Sequence, residues 1–342
     1  MGLYGAERAA LPSATTMSDT RSPSSTPRRV VLTGASSGIG RATALAFARE
    51  GACLVLAARG REGLEEVTAQ CEAAGASTLV VPTDVADGRA MRELAEAAIE
   101  RFGGIDVWVN NVGVGAVGRF EDTPIEAHRR VIEVNLIGHM NGAHAVLPHF
   151  RERGSGTLIN MISIGGWAST PYAAAYTASK FGLRGLSESL RAELSDLPGV
   201  HVCEVYPTFV DTPGVSHGAN YTGRRLRPGP PLVDPRRVAA QIVALAKSPR
   251  ASTAIGSMAL PARMAHALAP NLLGRAARRA FDMALARAHT APVTGGNLFS
   301  PSQGHAIDGG WRKPVPVGAS VAALAALGAL AWWATSSRRS GH

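Results

Sequence analysis

The chain of 342 residues is poor in cysteine, with three in all: Cys53, Cys71 and Cys203. They make no Cys-x-x-Cys pair and no paired spacing with histidine. That argues against a zinc site or a disulfide framework and for reduced thiols in a core. Charge is sparse too, at 18%, and acids are the scarcer sign, 26 against 35 Lys and Arg, for a net charge of +9. Such a balance raises non-specific affinity for nucleic acid and anionic lipid without dictating a fold. Specific nucleic-acid binding would rest on charge alone and is not expected. The first 27 residues lack the continuous apolar stretch of a secretory signal, and no internal repeat is evident.

What is present is a 46% apolar fraction, that of a folded protein. Residues 1–27 are rich in Ser, Thr and Pro and read as a disordered leader, with Met17 an alternative start to Met1. From Arg28 to Ser257 short β-branched runs alternate with helical stretches. Strands are expected at Val30–Leu32, Leu54–Leu56, Leu79–Val81, Val107–Val109, Thr157–Ile162 and Val200–Tyr206. Helices are expected at Ile39–Arg49, Glu62–Ala73, Arg89–Arg101, Pro124–Phe150, Ala174–Leu194 and Pro235–Lys247. Continuously apolar strands between helices imply an α/β fold, a doubly wound parallel sheet covered on both faces, in one domain over 28–257.

Residues 258–314 form an extension, Ala- and Arg-rich helix followed by a Gly/Pro-rich loop from Pro292 to Pro316. Beyond it, Val317–Ala334 is eighteen residues without a charge, with Trp332-Trp333 near its end and Arg338-Arg339 after it. A transmembrane or membrane-anchoring helix over 315–335 is favoured over a helix packed on the domain. The basic stretch Gly274–Ala288 would then lie near anionic lipid, with the catalytic domain on the cytoplasmic side.

Thr33-Gly34-Ala35-Ser36-Ser37-Gly38-Ile39-Gly40 joins the first strand to the first helix. Glycines let the backbone approach a pyrophosphate, and the helix N-terminus adds N–H donors and a positive dipole end. The spacing Gly-x3-Gly-x-Gly departs from the usual G-x-G-x-x-G, and no Gly-Lys-Ser/Thr follows, so it is not a Walker loop. The second strand ends in Ala57-Ala58-Arg59, with no acid until Glu62. An acid there would bind a ribose 2′-hydroxyl. Arg59, helped by Arg41, suits a 2′-phosphate, so NADP(H) is expected over NAD(H). Asp84-Val85 after the third strand and Asn110 to Gly113 after the fourth lie where ligands bind an open parallel sheet. Asp84 would meet the adenine amino group, and Asn110 and Gly113 would wall the adenine ribose.

Tyr176 and Lys180 stand four apart on one helical face. A free phenol, with a pKa near ~10, is a poor acid or base at neutral pH. A nearby ammonium lowers that pKa, and Lys180 can also orient the nicotinamide ribose. Ser163 closes the fifth strand with a hydroxyl that can hold a substrate oxygen. Asn135 could bind a water that relays protons from Lys180.

Together these motifs resemble the short-chain dehydrogenase/reductase family over Arg28 to Ser257, about two-thirds of the chain. The resemblance implies a Rossmann fold and a tetrad of Asn135, Ser163, Tyr176 and Lys180. It makes Tyr176 the general acid in reduction and general base in oxidation, and puts Thr212 near the nicotinamide carboxamide. Three departures stand out: Asn110-Asn111-Val112-Gly113 has Val112 where the family has Ala, Pro207-Thr208 replaces the usual Pro-Gly, and the chain runs on past Met258.

Ile164, Gly165, Trp167, Tyr206, Phe209 and the segment Pro213–Leu232 are expected to line an apolar substrate pocket, with Trp167 and Phe209 equally readable as packing. Arg224, Arg225 and Arg227 read as a solvated, mobile lid. His139, His144 and His149 recur every five residues, a spacing unsuited to a metal, and no metal is expected. The expected partners are an alcohol or ketone, further copies of this chain in a dimer or tetramer, and through its tail a membrane. The expected function is hydride transfer between a nicotinamide and a carbonyl or secondary alcohol carbon. An epimerase or dehydratase on the same fold, or a non-catalytic NADP sensor, are the alternatives.

Overall fold

In a computed structural model, residues 26–312 are described. The chain runs β1 (Arg29–Thr33), α1 (Gly38–Ala48), β2 (Cys53–Ala58), α2 (Arg61–Ala73), β3 (Ser77–Pro82), α3 (Gly88–Phe102) and β4 (Val107–Asn110). It continues through β5 (Ala116–Val117), α4 (Ile125–Ile132), a π-helical turn (Glu133–Ile137), α5 (Gly138–Arg153), β6 (Gly156–Met161) and α6 (Ala174–Glu193). Then come β7 (Val200–Pro207), α7 (Gly214–His217), β8 (Ala219–Asn220), α8 (Pro235–Lys247), β9 (Ser252–Ile255), α9 (Ala259–Leu268) and α10 (Pro270–Ala286).

Seven strands form one parallel sheet in the order β3-β2-β1-β4-β6-β7-β9. Val30, Val31 and Leu32 of β1 and Leu54, Val55 and Leu56 of β2 are all buried. Helices cover both faces, which is why these strands are apolar without alternation. One face packs Phe47 of α1, Leu64 of α2 and Ile242 of α8 against the strands. The other packs Leu94 of α3, Val131 of α4 and Phe150 of α5. Strand order turns outward in opposite directions from β1 and β4, opening a crevice at their carboxyl ends, where this architecture binds ligands.

The expected strands and helices are found, with ends shifted by one or two residues; the short β5, α7 and β8 were not foreseen, and three further features depart from expectation. The helix expected over Pro124–Phe150 is broken by the π-turn at Glu133–Ile137. An extra residue in a helical turn re-aims a side chain, and here Asn135 is the one held inward. β9 was not foreseen because Ser252-Thr253-Ala254-Ile255 is a half-exposed edge strand with one buried residue. The loop after Pro292 is irregular as expected, yet it does not lie free in solvent: it folds back over the carboxyl ends of β1 and β2. The leader up to residue 25 and the helix expected over 315–335 lie outside the described residues. Among the described residues no helix is long and apolar enough to cross a membrane.

Candidate active site

The turn from β1 to α1 needs its glycines. Gly34 and Gly38 hold φ of +67° and +53°, and a Cβ on Gly40 would overlap the carbonyl oxygen of Gly34. Asn111 keeps the turn in place: its Nδ2 donates to the carbonyls of Thr33 and Gly34 at 3.1 and 3.2 Å. Thr33 is buried beneath, donating from Oγ1 to Val109 O and accepting from Asn111 N.

A cleft of about 200 Å³ runs from these glycines in two directions. It gathers Gly34, Ser36, Ser37, Gly38, Ile39, Gly40, Arg59, Asp84, Val85, Gly113 and Thr212, all singled out from sequence. It adds Asn111, Val112, Val114, Val134 and His217, and, from the returning loop, Asn297, Pro301, Ser302 and His305. The backbone amides at the α1 N-terminus and the absence of side chains at three glycines make this a cradle for a pyrophosphate.

At one end stands Arg59, closing β2. Burial pulls its guanidinium below the ordinary value; Asp84 opposes this and Arg130 adds to it. It donates to three main-chain carbonyls, those of Asn297 at 2.6 Å, Ser300 at 2.9 Å and Leu298 at 3.1 Å. Among the described residues it makes no ion pair. Asp84 is held by Arg130 at 2.5 Å and accepts from Ala86 N. Burial raises the Asp84 carboxyl, and the Arg130 and Ala86 hydrogen bonds outweigh that to leave it lowered.

The residues of the expected tetrad do not line this cleft; they lie next to it, beyond Gly113. Lys180, buried on α6, sends its ammonium to Met161 O at 2.9 Å, 5.8 Å from the Tyr176 ring centroid. Burial pulls Lys180 down to about 7. Burial pushes the Tyr176 phenol up, and a hydrogen bond with Ser163 draws it partly back. Ser163 has φ of +135°, a strained conformation for a residue with a Cβ, and its Oγ accepts from Gly165 N. A Cβ on Gly113 would stand 3.9 Å from both Lys180 Nζ and Asn135 Oδ1, so the cleft and this cluster adjoin.

Several expectations are corrected. Lys180 was to lower the Tyr176 pKa; in this arrangement the lysine is directed at Met161 O and burial dominates both groups. Asn135, expected to bind a water, has its side chain engaged within the protein: Oδ1 accepts from Val114 N at 2.8 Å, and Nδ2 donates to Val114 O and Ser179 Oγ. It is a strut between the loop after β4 and α6. Asn110 points away from the cleft, bonding Trp108, Asn160 and His139 O in the core. Arg41 is occupied by Glu66 at 3.0 Å and His305 O at 2.6 Å. Trp167 and Tyr206 stack at 3.8 Å in a buried cluster, which makes them packing and not pocket wall; Phe209 remains half exposed. Pro207 ends β7 outside the cleft lining, next to the buried Thr208. Arg224 is tied down by strand-like bonds to the segment near Thr290, so the lid is not free.

His139 is buried and held well below its ordinary value by burial, while His149 accepts from Ile105 N; both are structural. Among the described residues no cluster of three metal-ligating side chains occurs. Sequence reasoning missed Asn111, Arg130, His217 and the returning loop. Asn111 lay inside a motif already noted, Asn110 to Gly113, without a role assigned to it. The loop carries no signal beyond its Gly and Pro content.

The short chain dehydrogenase family model matches residues 28–220. An uncharacterized oxidoreductase of Bacillus subtilis (strain 168), YxnA, is 36% identical over 249 residues, 72% of this chain and 70% of that one. Dehydrogenase/reductase SDR family member 7 of Homo sapiens is 38% identical over 52% of this chain and 54% of its own. The probable oxidoreductase EphD of Mycobacterium tuberculosis (strain ATCC 25618 / H37Rv) is 41% identical over 54% of this chain but only 31% of its own. Among solved structures, an alcohol dehydrogenase from the archaeon Thermococcus sibiricus, complexed with 5-hydroxy-NADP, superposes with a TM-score of 0.59. That match has 30% sequence identity and covers 67% of this chain and 96% of the other.

Proposed function

The chain belongs to the short-chain dehydrogenase family, and from that membership we propose an NADP(H)-preferring reductase or dehydrogenase of apolar ketones and secondary alcohols. That it is an oxidoreductase working with a nicotinamide dinucleotide follows from the family and the cleft. The observation that carries the finer reading is the meeting of Lys180 and Asn135 beside Gly113 of the cleft, with Ser163 and Tyr176 together beside Gly165. Preference for the 2′-phosphate is supported by Arg59, a half-buried cation at the end of β2 without an ion-pair partner among the described residues.

When bound, the dinucleotide supplies or accepts the hydride. The chain's own groups move the proton. In reduction the neutral Tyr176 phenol, kept protonated by its burial, donates to the carbonyl oxygen. Ser163 Oγ, next to that phenol, holds the same oxygen. Lys180 in its protonated form assists the phenolate that remains, and Asn135 keeps the loop Gly113–Val114 registered against α6. An apolar substrate is supported by Phe209, exposed on β7's exit loop.

Purified full-length protein with NADPH, tested across aldehydes, ketones, steroids and acyl compounds, should oxidise NADPH stoichiometrically with alcohol formed. Turnover without net NADPH loss would turn the reading to an epimerase or dehydratase, and NADH outperforming NADPH would overturn the cofactor preference. Assembly into dimers or tetramers is read by light scattering. Membrane attachment through residues 315–335 is supported by sequence and by the exposed Leu272, Arg275, Arg279 and Met283 of α10. Deleting 315–342 should release the protein from a membrane pellet, and unchanged partitioning would refute it.

A further inference from the structure

The segment from Asn297 to Ala306 crosses the open edge of the cofactor cleft and is fastened on both sides of it. Upstream, Asn297 N donates to His217 O at 2.8 Å and Leu298 is fully buried. Downstream, Trp311 N donates to Asp211 Oδ1 at 2.9 Å, and Arg312 pairs with Asp211, Asp234 and Asp308. Between the fastenings the segment hands its carbonyl oxygens to donors on the turns of β1 and β2. Arg59 takes those of Asn297, Leu298 and Ser300, Arg41 takes that of His305, and Gly38 N takes that of Ala306 at 2.9 Å. Two of these donors are arginines and the third lies at the N-terminus of α1, the same groups that a phosphate would seek.

We propose that residues 297–306 are a strap forming the outer wall of the dinucleotide site, which retains the bound cofactor and must lift for the cofactor to exchange. The inference rests on the reading of the cleft as a dinucleotide site. A guanidinium has five N–H donors, and the strap accepts three from Arg59, leaving two for a 2′-phosphate. The arginine thus serves strap and phosphate together, and its charge, which neutral carbonyls do not cancel, is available to a dianion. Asn297, Ser302 and His305 line the cleft from the strap side and act as positioning residues for the adenosine end. The strap also packs against α2 at a glycine: a Cβ on Gly63 would overlap the His305 ring.

That contact supplies the test. The pair G63C/H305C, oxidised, fastens the strap to α2 without altering Arg59 or the glycine turn. NADPH uptake, followed by its fluorescence in stopped flow, should slow at least about tenfold in the oxidised pair. Release should slow equally when oxidation follows loading, and dithiothreitol should return both rates to those of the never-oxidised pair. Equal rates in oxidised and reduced forms would overturn the strap. If the pair fails to fold, hydrogen exchange on the unaltered chain decides. Saturating NADP+ should protect amides 297–306 at least about tenfold, and no added protection would refute the proposal. The underlying reading fails separately: an unaltered chain that binds neither NADPH nor NADH has no dinucleotide site for a strap to close. NADH bound with the same oxidation-dependent rates would leave the strap standing and remove the 2′-phosphate preference.

Discussion

The two ends of the cofactor cleft are assembled on different principles. The nicotinamide end draws its groups from one stretch, Asn135 to Lys180, on a π-turn, a strand end and a helix, with Asn135 and Lys180 buried in the core and Ser163 and Tyr176 partly open. The adenosine end draws Arg59 from the end of β2 and the strap from 238 to 241 residues further on, and it joins them through main-chain carbonyls. Chemistry that must hold a proton donor within tenths of an ångström sits on rigid elements. Recognition that must let a ligand in and out sits on a loop. Each end should therefore fail in its own way when altered.

The largest expected effect is at the rigid end. Tyr176→Phe removes the only atom there proposed to exchange a proton, and turnover should fall by about 10³-fold. NADPH affinity should stay unchanged, measured by fluorescence titration. A variant that keeps turnover and loses affinity would reverse the assignment of the two ends.

Lys180→Met comes next and has two signs. Turnover should collapse, while stability should rise. The folded protein holds the lysine at about 7 by burial, whereas the unfolded chain titrates near the ordinary lysine value of 10.5. Between those values the unfolded chain binds a proton that the folded one has released, so wild-type stability increases with pH across that window. Below about 7 both states are protonated and the burial penalty is at its greatest. The variant should then gain on the order of 3 kcal/mol after allowing for the lost bond to Met161 O. The gain should shrink as pH climbs toward 10, as read by denaturant midpoints. A variant less stable than its parent at pH 6 would mean that the buried ammonium is not strained.

The same contrast governs what was legible in the sequence. Tyr176, Lys180 and Ser163 could be placed together because helix spacing and strand ends are local rules. The glycine turn was legible because its position after β1 dictates what it faces. The break at Asn135 was invisible, since a π-turn keeps helical hydropathy and the Asn135 side chain meets a partner, Val114, twenty-one residues away. Trp167 was equally readable as pocket or packing and Tyr206 was expected in the pocket, and their stacking against each other decided for packing. The strap lay beyond reach for a plainer reason. Carbonyl oxygens belong to every residue, so a loop that binds through them carries no side-chain signature, and Arg59 alone could not announce its partner.

At the adenosine end, Arg59→Ala should act on cofactor choice and not on chemistry. Loss of a charge-assisted contact to a 2′-phosphate lowers the NADPH to NADH ratio of kcat/KM by about 10- to 30-fold. Saturated turnover should change little. Because the same side chain clasps Asn297, Leu298 and Ser300, the variant should also expose the strap to proteolysis between residues 297 and 306. A narrowed cofactor ratio with an unaltered cleavage pattern would separate the two roles and leave the phosphate contact alone.

The smallest effect concerns the rim that belongs to neither end. Phe209 follows β7, half exposed, next to the segment Gly229–Leu232, and it is the aromatic that remains for a substrate once Trp167 and Tyr206 are recognised as core. Removing its ring takes away a partial apolar contact worth about 1 kcal/mol. Phe209→Ser should therefore raise the KM of the best apolar ketone about fivefold, with kcat unchanged and with no change for a small polar carbonyl. Since the ring is exposed in the free protein, its replacement should not lower the denaturation midpoint. A drop in stability with no change in KM would move Phe209 into the packing of the Gly229–Leu232 loop, and the apolar wall would then have to come from α7 and Ile164.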